Sequence, residues 1–350
     1  MESKDIDKIL SNKKLIDKKF KSEHWDKFIG KKFNNLSFEE ITKFRQNGLS
    51  DGLDNSRLIN LDFLNKKILD FKNTLELFNL DFDKVNHLFM EKNIGENKIF
   101  INYKDKYIDL AQLDHIILYL LIQKYCLKKE DKNLNILEIG AGFGNLARMI
   151  LNEYNAKYFI IDLPEQLILQ GYYLTLFFPN KKICFAENLP NLCLEEEHVK
   201  KYDIFLLPPS IKIQTNLKLN CVINSSSFME MRKKDIKEYF KIIEKNLKSE
   251  GFFFNNNRYF KDTSGEKIRL YEYPYDKKCK VIYSNQYLFF YRLHTLITKK
   301  IDVETNEIVE ELSKIKKLAK NHEYPNFIPI KLMRIYQLIK KYLKLRASKT

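Results

Sequence analysis

The chain has 350 residues, 44% of them hydrophobic, which is enough for one substantial α/β domain with attached segments. Its five cysteines are odd in number and include no C-x-x-C pair, so the sequence indicates neither a disulfide framework nor a zinc site and favours a reducing cytosol. No uninterrupted apolar run approaches membrane-spanning length, and no apolar segment follows the charged N-terminus, so we expect a soluble, cytoplasmic protein.

The formal net charge is +15 at pH 7. Such a charge favours an anionic partner, which would be nucleic acid, a membrane surface or a phosphate-bearing substrate. The alternative is that the lysines are spread over solvated faces, because acidic residues accompany them almost everywhere before residue 312. The net charge therefore leaves the nature of the partner open.

Residues 1–105 are predicted to form a polar, helical cap or lid on the domain that follows. The segments 38–44 and 61–78 repeat apolar residues at helical spacing. No alternation of apolar and polar residues in this region is long enough to build a sheet.

Residues 106–300 alternate predicted strands and helices, which indicates an α/β, Rossmann-like parallel sheet with helices on both faces. Helices are predicted at 110–127, 164–177 and 234–247. Strands are predicted at 134–137, 158–162, 183–186, 203–207 and 221–224 and from 251 onward. Two later β-prone runs, 280–283 and 287–298, would complete the sheet as an antiparallel pair.

Three of the ten glycines, Gly140, Gly142 and Gly144, lie within five residues directly after a predicted strand. Glycines at a strand-to-helix turn let the backbone approach a ligand closely, and the N-terminus of the next helix attracts a carboxylate or phosphate. A dinucleotide fold uses the spacing G-x-G-x-x-G, whereas this chain has G-x-G-x-G with Glu138 two residues ahead. Asp162 ends the next strand, where an acid accepts ribose hydroxyls.

This order of strand, glycine turn, helix, strand and acid resembles motif I of the class I S-adenosylmethionine methyltransferases. The resemblance implies S-adenosyl-L-methionine as the cofactor, with the glycine turn making room for its methionine part. The cofactor-binding residues would be Glu138, Gly140, Gly142, Gly144, Asp162 and Asn224.

Polar side chains follow two further predicted strands, at residues 224–231 and 255–259. Ligands of open sheets bind outside the carboxyl ends of the strands, so these segments predict a substrate cleft. Its lining would be Ser227, Asn257, Arg258 and Tyr259. The alternative for the first segment is a helix cap, because Ser227 and Glu230 have the spacing of a capping box.

Several short elements, in this order, resemble the bacterial sugar O-methyltransferase family. They are the sequences at 161–165, Gln170, 172–174, 223–231, 257–258 and 273–276, within a resemblance that extends from about Trp25 to His294. The resemblance implies methylation of a sugar hydroxyl in the biosynthesis of a cell-surface polysaccharide or glycoconjugate. The substrate would be a sugar, or a nucleotide-linked or lipid-linked glycan.

Methyl transfer to an alcohol requires alignment of the reacting atoms and removal of a proton from a poor acid, usually by His, Asp or Glu. Glu230 is the first candidate for the base, because it lies just beyond the strand predicted at 221–224, and His294 and His115 are the reserves. Arg258 would pair with a phosphate or carboxylate on the substrate, or else form a surface ion pair. No metal site is indicated by residue spacing, although carboxylates distant in sequence could hold a divalent cation.

Residues 301–350 are predicted to form a helical, basic C-terminal tail. Between 330 and 346, an apolar stripe at helical spacing is opposed by lysines and arginines. Such a helix either contacts an anionic membrane surface, here the inner membrane, or packs against the domain or a second subunit.

Two other functions remain open. A nucleic-acid methyltransferase would explain the positive charge, but the chain has no N-P-P-Y-type strand end and no recognisable RNA-binding module, so no nucleic-acid partner is expected. A non-catalytic protein that keeps the fold and binds the cofactor is the other alternative, and the intact acids and glycines count against it.

Overall fold

The structure is a computed structural model that describes residues 3–15, 21–23, 25–26, 32–33, 36–50, 60–262 and 265–323. Its strands in chain order are β1 (Ile101–Tyr103), β2 (Lys106–Ile108), β3 (Leu134–Ile139), β4 (Ala156–Ile161), β5 (Ile183–Cys184), β6 (Cys193–Leu194), β7 (Ile204–Leu207), β8 (Lys212–Ile213), β9 (Leu219–Ser225), β10 (Leu247–Arg258), β11 (Phe260–Lys261), β12 (Ile268–Arg269), β13 (Cys279–Gln286) and β14 (Leu293–Lys300).

Eight of these strands form the central sheet, in the order β13-β14-β10-β9-β3-β4-β7-β5. The pairs from β10 to β5 are parallel, whereas β14 pairs antiparallel with both β10 and β13. The predicted antiparallel pair is therefore confirmed. From β3 the chain builds outward through β4, and it later returns to β9 on the other side of β3. The carboxyl ends of β3 and β9 thus form the switch point of the sheet, where such folds bind ligands.

Nine helices accompany the strands in the described residues. They are α1 (Ser3–Ser11), α2 (Phe38–Thr42), α3 (Leu61–Leu75), α4 (Leu110–Tyr125), α5 (Asn145–Glu153), α6 (Pro164–Phe177), α7 (Glu196–Lys201), α8 (Lys233–Asn246) and α9 (Glu307–Glu323). Local chemistry explains several of their starts. Asp109 caps α4 by accepting the N–H of Gln112, and Pro164 occupies the first turn of α6, where its missing N–H has no consequence.

The central strands are buried on both faces, which explains why they read as continuous apolar runs. In β4, Tyr158 and Ile160 join one hydrophobic cluster, and Phe159 and Ile161 join the cluster on the opposite face. Neighbouring strands and the helices that cover the two faces contribute to each cluster.

The described residues before 105 pack onto the first of these two faces. The Phe44 ring lies 5.5 Å from the Phe143 ring, between centroids, next to the glycine turn. Arg45 and Asp109, both buried, form an ion pair of 2.9 Å between Nη1 and Oδ2. These contacts connect the N-terminal segment directly to the wall of the ligand-binding edge.

The region 287–298 differs from its prediction as one long strand, because β14 begins only at Leu293. The aromatic residues before it have strong strand propensity, but tertiary contacts hold them in a loop. The Tyr287 hydroxyl donates to Asp114 Oδ1 at 2.6 Å. Lys67 Nζ donates to the Phe289 carbonyl at 2.6 Å and lies 4.5 Å from the centre of that ring.

A small antiparallel hairpin, β1–β2, spans the expected boundary at residue 105 and is absent from the sequence prediction. Helix α9 falls inside the predicted helical tail. The predicted amphipathic stripe at 330–346 lies outside the described residues. No helix among the residues described has both the length and the apolar character needed to cross a membrane.

Candidate active site

A cavity of about 1170 Å³ opens at the carboxyl ends of the parallel strands. It lies at the edge where the sequence placed the site, because four strands of the sheet all end there. The predicted site residues that line it are His115, Glu138, Gly140, Gly142, Asp162, Ser227, Glu230 and Arg258. The predicted site residues that do not line it are Gly144, Asn224, Asn257, Tyr259 and His294.

The three glycines of the turn all have positive φ, but they have different surroundings. Their φ values are +75° at Gly140, +58° at Gly142 and +92° at Gly144, a region that favours glycine. A Cβ atom on Gly140 would lie 1.9 Å from Ser227 Oγ. A Cβ atom on Gly142 would have no atom within 4 Å. Gly142 therefore leaves bare backbone on the cavity wall, whereas Gly144 starts α5 away from the cavity.

The two predicted acids, Glu138 and Asp162, are buried in the cavity wall. Asp162 accepts the N–H groups of Ala141 at 2.9 Å and Leu163 at 2.8 Å. Burial nevertheless raises the pKa of Asp162 to about 7, against the lowering effect of these hydrogen bonds. Burial likewise raises the pKa of Glu138 to about 8, and the negative charge of Asp162 adds to the rise. The two carboxyls lack solvation, so a ligand that supplies hydroxyl groups or positive charge would stabilise their ionised forms.

Gln170, on α6, fixes this part of the wall. Its Nε2 donates to the Gly142 carbonyl at 2.8 Å and to Asp162 Oδ2 at 2.7 Å. It thereby joins the glycine turn to the acid on the next strand. Gln170 lies eight residues beyond Asp162 on a largely apolar helix, and the sequence marked it only as an element of the sugar O-methyltransferase resemblance, without assigning it this role.

Asn224 and Asn257 lie beneath the cavity instead of in its wall. Asn224 donates to the Ile139 carbonyl at 2.8 Å and accepts from the Phe228 N–H at 3.1 Å and from Asn257 Nδ2 at 2.7 Å. Asn257 Oδ1 accepts the N–H of Met229 at 3.1 Å. Both amides are fully buried. They hold the loop after β9 in place, and the expectation that they touch ligands is not met by this geometry.

Ser227 does not cap a helix, because no backbone N–H bonds to its hydroxyl. Residues Phe228–Glu230 form a single 3₁₀ turn instead, and the Ser227 side chain covers Gly140. The capping alternative is therefore not supported, and Ser227 lies at the junction of the glycine turn and the loop after β9.

Glu230 and Arg258 line the same part of the cavity. Glu230 Oε1 and Lys261 Nζ form an ion pair of 2.7 Å, with the lysine side chain only 6% exposed. Burial lowers the pKa of Lys261, and the negative charge of Glu230 acts against this. Burial lowers the pKa of Arg258, and the nearby positive charge of Arg292 lowers it further. Glu230 thus keeps its place as a candidate base, and Arg258 faces the cavity.

His115 lines the cavity, but its hydrogen bonds disfavour a role as the base. Asn145 Oδ1 accepts from Arg148 and from the Tyr173 hydroxyl, so the Asn145 amide nitrogen faces His115 Nδ1 and donates to it at 2.9 Å. The proton of neutral His115 is then on Nε2, as assigned from this network. Burial lowers the pKa of His115 to about 4, so the ring stays neutral and can donate a hydrogen bond from Nε2.

His294 lies outside the cavity, and both of its ring nitrogens have partners. Nδ1 is 2.9 Å from the Tyr259 hydroxyl and Nε2 is 2.8 Å from Ser284 Oγ. The ring of His322, on α9, stacks on Tyr259 with 4.3 Å between centroids. His294 and Tyr259 therefore join α9 to the sheet, which corrects their expected roles as base and substrate contact.

The sequence did not single out Asp114 as a site residue. Asp114 lines the cavity and accepts the Tyr287 hydroxyl at 2.6 Å. Burial raises its pKa to about 7, which suits a group that exchanges protons near neutral pH. The sequence pattern could not reveal this pair, because Asp114 lies in an apolar helix and Tyr287 is distant from it in the sequence.

One group among the described residues could hold a metal ion, and it lies away from the cavity. It consists of Glu195, Glu197 and His198, whose ligand atoms lie within 4.8 Å of one another. Both acids are exposed, and His198 Nδ1 already accepts the N–H of Glu195 at 3.1 Å. We assign no metal role to this group.

Comparison with known proteins finds solved structures with partial similarity. No protein-family model and no curated protein match the chain. Phosphoethanolamine N-methyltransferase 1 of Haemonchus contortus, solved with phosphoethanolamine and S-adenosylhomocysteine, is 11% identical with a TM-score of 0.35 over 59% of this chain and 49% of that one. Mitomycin 7-O-methyltransferase MmcR is 10% identical with a TM-score of 0.33, and the match covers 48% of this chain and 49% of that one. An rRNA methylase of Streptococcus thermophilus is 10% identical with a TM-score of 0.33, and the match covers 55% of this chain and 96% of that one.

The chain thus spans about half of the length of the first two of these proteins. The identities and TM-scores are too low to carry an argument about activity. The function is therefore argued from the residues of this chain.

Proposed function

We propose that this chain is an S-adenosylmethionine-dependent O-methyltransferase. One observation carries the proposal: the bare backbone of Gly142 and the buried carboxyls of Glu138 and Asp162 line the same cavity, at the switch point of the sheet. This arrangement supports the resemblance of the sequence to motif I, because it offers both the space and the hydrogen-bond acceptors that the cofactor needs.

The residues present fit the cofactor. Asp162, at the end of β4, would accept the ribose hydroxyls, and the bare turn at Gly142 would leave room for the methionine part. When bound, S-adenosylmethionine supplies a methyl group on a positively charged sulfur. Without a ligand, burial raises the pKa values of the two carboxyls. The hydroxyl groups and positive charge of the cofactor would favour the ionised form of both.

The acceptor is proposed to be a hydroxyl, and two carboxylates could take its proton. Glu230 is held by Lys261, and Asp114 is oriented by the Tyr287 hydroxyl. The acceptor oxygen would take the methyl group as the bond between that group and the cofactor sulfur breaks, which leaves S-adenosylhomocysteine, and the hydroxyl proton would pass to a carboxylate oxygen. A positioned base of this kind typically contributes about 10²- to 10⁴-fold to the rate.

A sugar is the proposed acceptor class, in the biosynthesis of a polysaccharide or glycoconjugate. The resemblance of the sequence to sugar O-methyltransferases supports this. The cavity adds carboxylate, guanidinium and amine groups that hydrogen-bond hydroxyls, together with the aromatic surfaces of Trp25 and Phe289. Its volume of about 1170 Å³ exceeds that of ordinary single-ligand pockets, as a site for two ligands requires.

Calorimetry with S-adenosylhomocysteine tests the cofactor first. We expect saturable binding by the natural chain and binding at least about tenfold weaker in Asp162→Asn, which keeps the shape of the side chain but not its charge. Failure of the natural chain to bind would overturn the proposal. Transfer of a labelled methyl group to a panel of sugars then tests the acceptor, with Glu230→Gln and Asp114→Asn compared at equal cofactor occupancy to assign the base.

A further inference from the structure

A cluster of positive charge lies in the cavity wall beside Glu230. It consists of Arg258, Lys261 and Arg292, all of which line the cavity. The sheet creates the cluster: Arg258 pairs with Leu293 in the β10–β14 register, and the N–H of Tyr259 bonds to the Arg292 carbonyl at 3.2 Å. Neighbouring strands thus bring together two arginines that are 34 residues apart.

The acids near this cluster do not balance it. Lys261 is paired with Glu230 at 2.7 Å, and Arg292 Nε donates to the Tyr291 hydroxyl at 3.2 Å. Arg258 is half-buried and has no hydrogen bond or ion pair with any residue that the structure describes. Among the described residues, three cations therefore lie beside one carboxylate, and the Arg258 guanidinium donates to none of these residues.

Holding like charges together in a partly desolvated wall is unfavourable unless a ligand of opposite charge offsets it. Burial and the charge of Arg292 both lower the pKa of Arg258, which is the electrostatic mark of this repulsion. A guanidinium presents a planar fork of N–H donors that matches the oxygens of a phosphate or carboxylate. Two adjacent guanidinium groups offer more donors than the two oxygens of a carboxylate can accept, which favours the phosphate.

We infer that Arg258 and Arg292 form an anion subsite for a phosphate group carried by the methyl acceptor, so that the acceptor is a phosphorylated or nucleotide-linked sugar. This inference rests on the proposed function and narrows its substrate class. It predicts that the phosphate is bound at the side of the cavity where Glu230 lies.

The test uses the full chain, saturated beforehand with S-adenosylhomocysteine. Glucose 1-phosphate is the probe, and calorimetry measures its affinity. We expect the natural chain to bind the probe, and Arg258→Gln and Arg292→Gln to bind it at least about tenfold more weakly. The affinity of Arg258→Lys should lie between those of Arg258→Gln and the natural chain. Arg269→Gln is the matched control, because Arg269 carries the same charge but does not line the cavity. Its affinity for the probe should stay within about twofold of the natural value.

The outcomes separate this inference from the proposed function. If S-adenosylhomocysteine does not bind, the proposed function fails. If it binds but glucose 1-phosphate does not, or if Arg258→Gln binds the probe as well as the control does, the phosphate subsite is overturned. The second arm of the test uses glucuronic acid, which carries a carboxylate in place of the phosphate. If it binds as tightly as glucose 1-phosphate or more tightly, the choice of phosphate is overturned. Binding of S-adenosylhomocysteine by both arginine variants verifies that they are folded.

Discussion

Substitution of Gly142 by alanine should weaken cofactor binding far more than it harms folding. The added methyl group would meet no protein atom within 4 Å, so it would occupy cavity space and not displace a neighbour. The cost to the folded state is therefore the backbone strain at φ +58°, about 1–2 kcal/mol for an alanine in the left-handed region. A ligand packed on the bare backbone would meet an extra methyl group, which costs about 1–3 kcal/mol, or roughly 5- to 150-fold in the dissociation constant.

Gly144→Ala is the matched control, because Gly144 also has positive φ but lies outside the cavity. Its new methyl group would contact Leu174 at an ordinary 3.4 Å. Its loss of unfolding free energy should be comparable, with little change in affinity for S-adenosylhomocysteine. Urea unfolding measures the first quantity and calorimetry the second. The reasoning is refuted if Gly142→Ala binds within about twofold of the natural chain, or if Gly144→Ala loses as much affinity.

Three further outcomes are expected. Burial raises the pKa of Asp114 and Asp162 to about 7 and of Glu138 to about 8, so the folded chain holds protons that the unfolded chain releases near pH 4. Burial also lowers the pKa of His115, His294 and His322 to about 4, and this opposes the trend mainly below pH 6.5. Urea unfolding without ligand should therefore show stability falling by on the order of 2 kcal/mol from pH 6.5 to pH 8, and a flat or rising profile would contradict this. Asn224→Ala removes three buried hydrogen bonds and should lower the free energy of unfolding by about 3 kcal/mol, and a loss below about 1 kcal/mol in the same assay would show that the network is not needed. His294→Phe should lower the melting temperature by several degrees without changing the pH profile of methyl transfer, because the ring lies outside the cavity; a shifted profile would restore His294 as a candidate base.

The prediction of secondary structure from the sequence was accurate where local signals were strong. Helix α6 matches its prediction at both ends, since Pro164 starts it and Pro179 follows it. Prediction failed at residues 287–292, where aromatic residues favour a strand. Contacts of that loop with Lys67 and Asp114, more than 170 residues away, decide its conformation.

The sequence by itself determined the glycine turn, the acids at the two strand ends and the edge of the sheet where the cavity lies. These features depend on residue type and spacing along one strand–turn–helix unit, which local backbone geometry dictates. Only the tertiary structure decided which candidates face the cavity. The side chains of Asn224, Asn257 and His294 point into buried hydrogen-bond networks, whereas Asp114 and Arg292 line the cavity. Elements far apart in the chain determine the direction and the charge environment of these side chains.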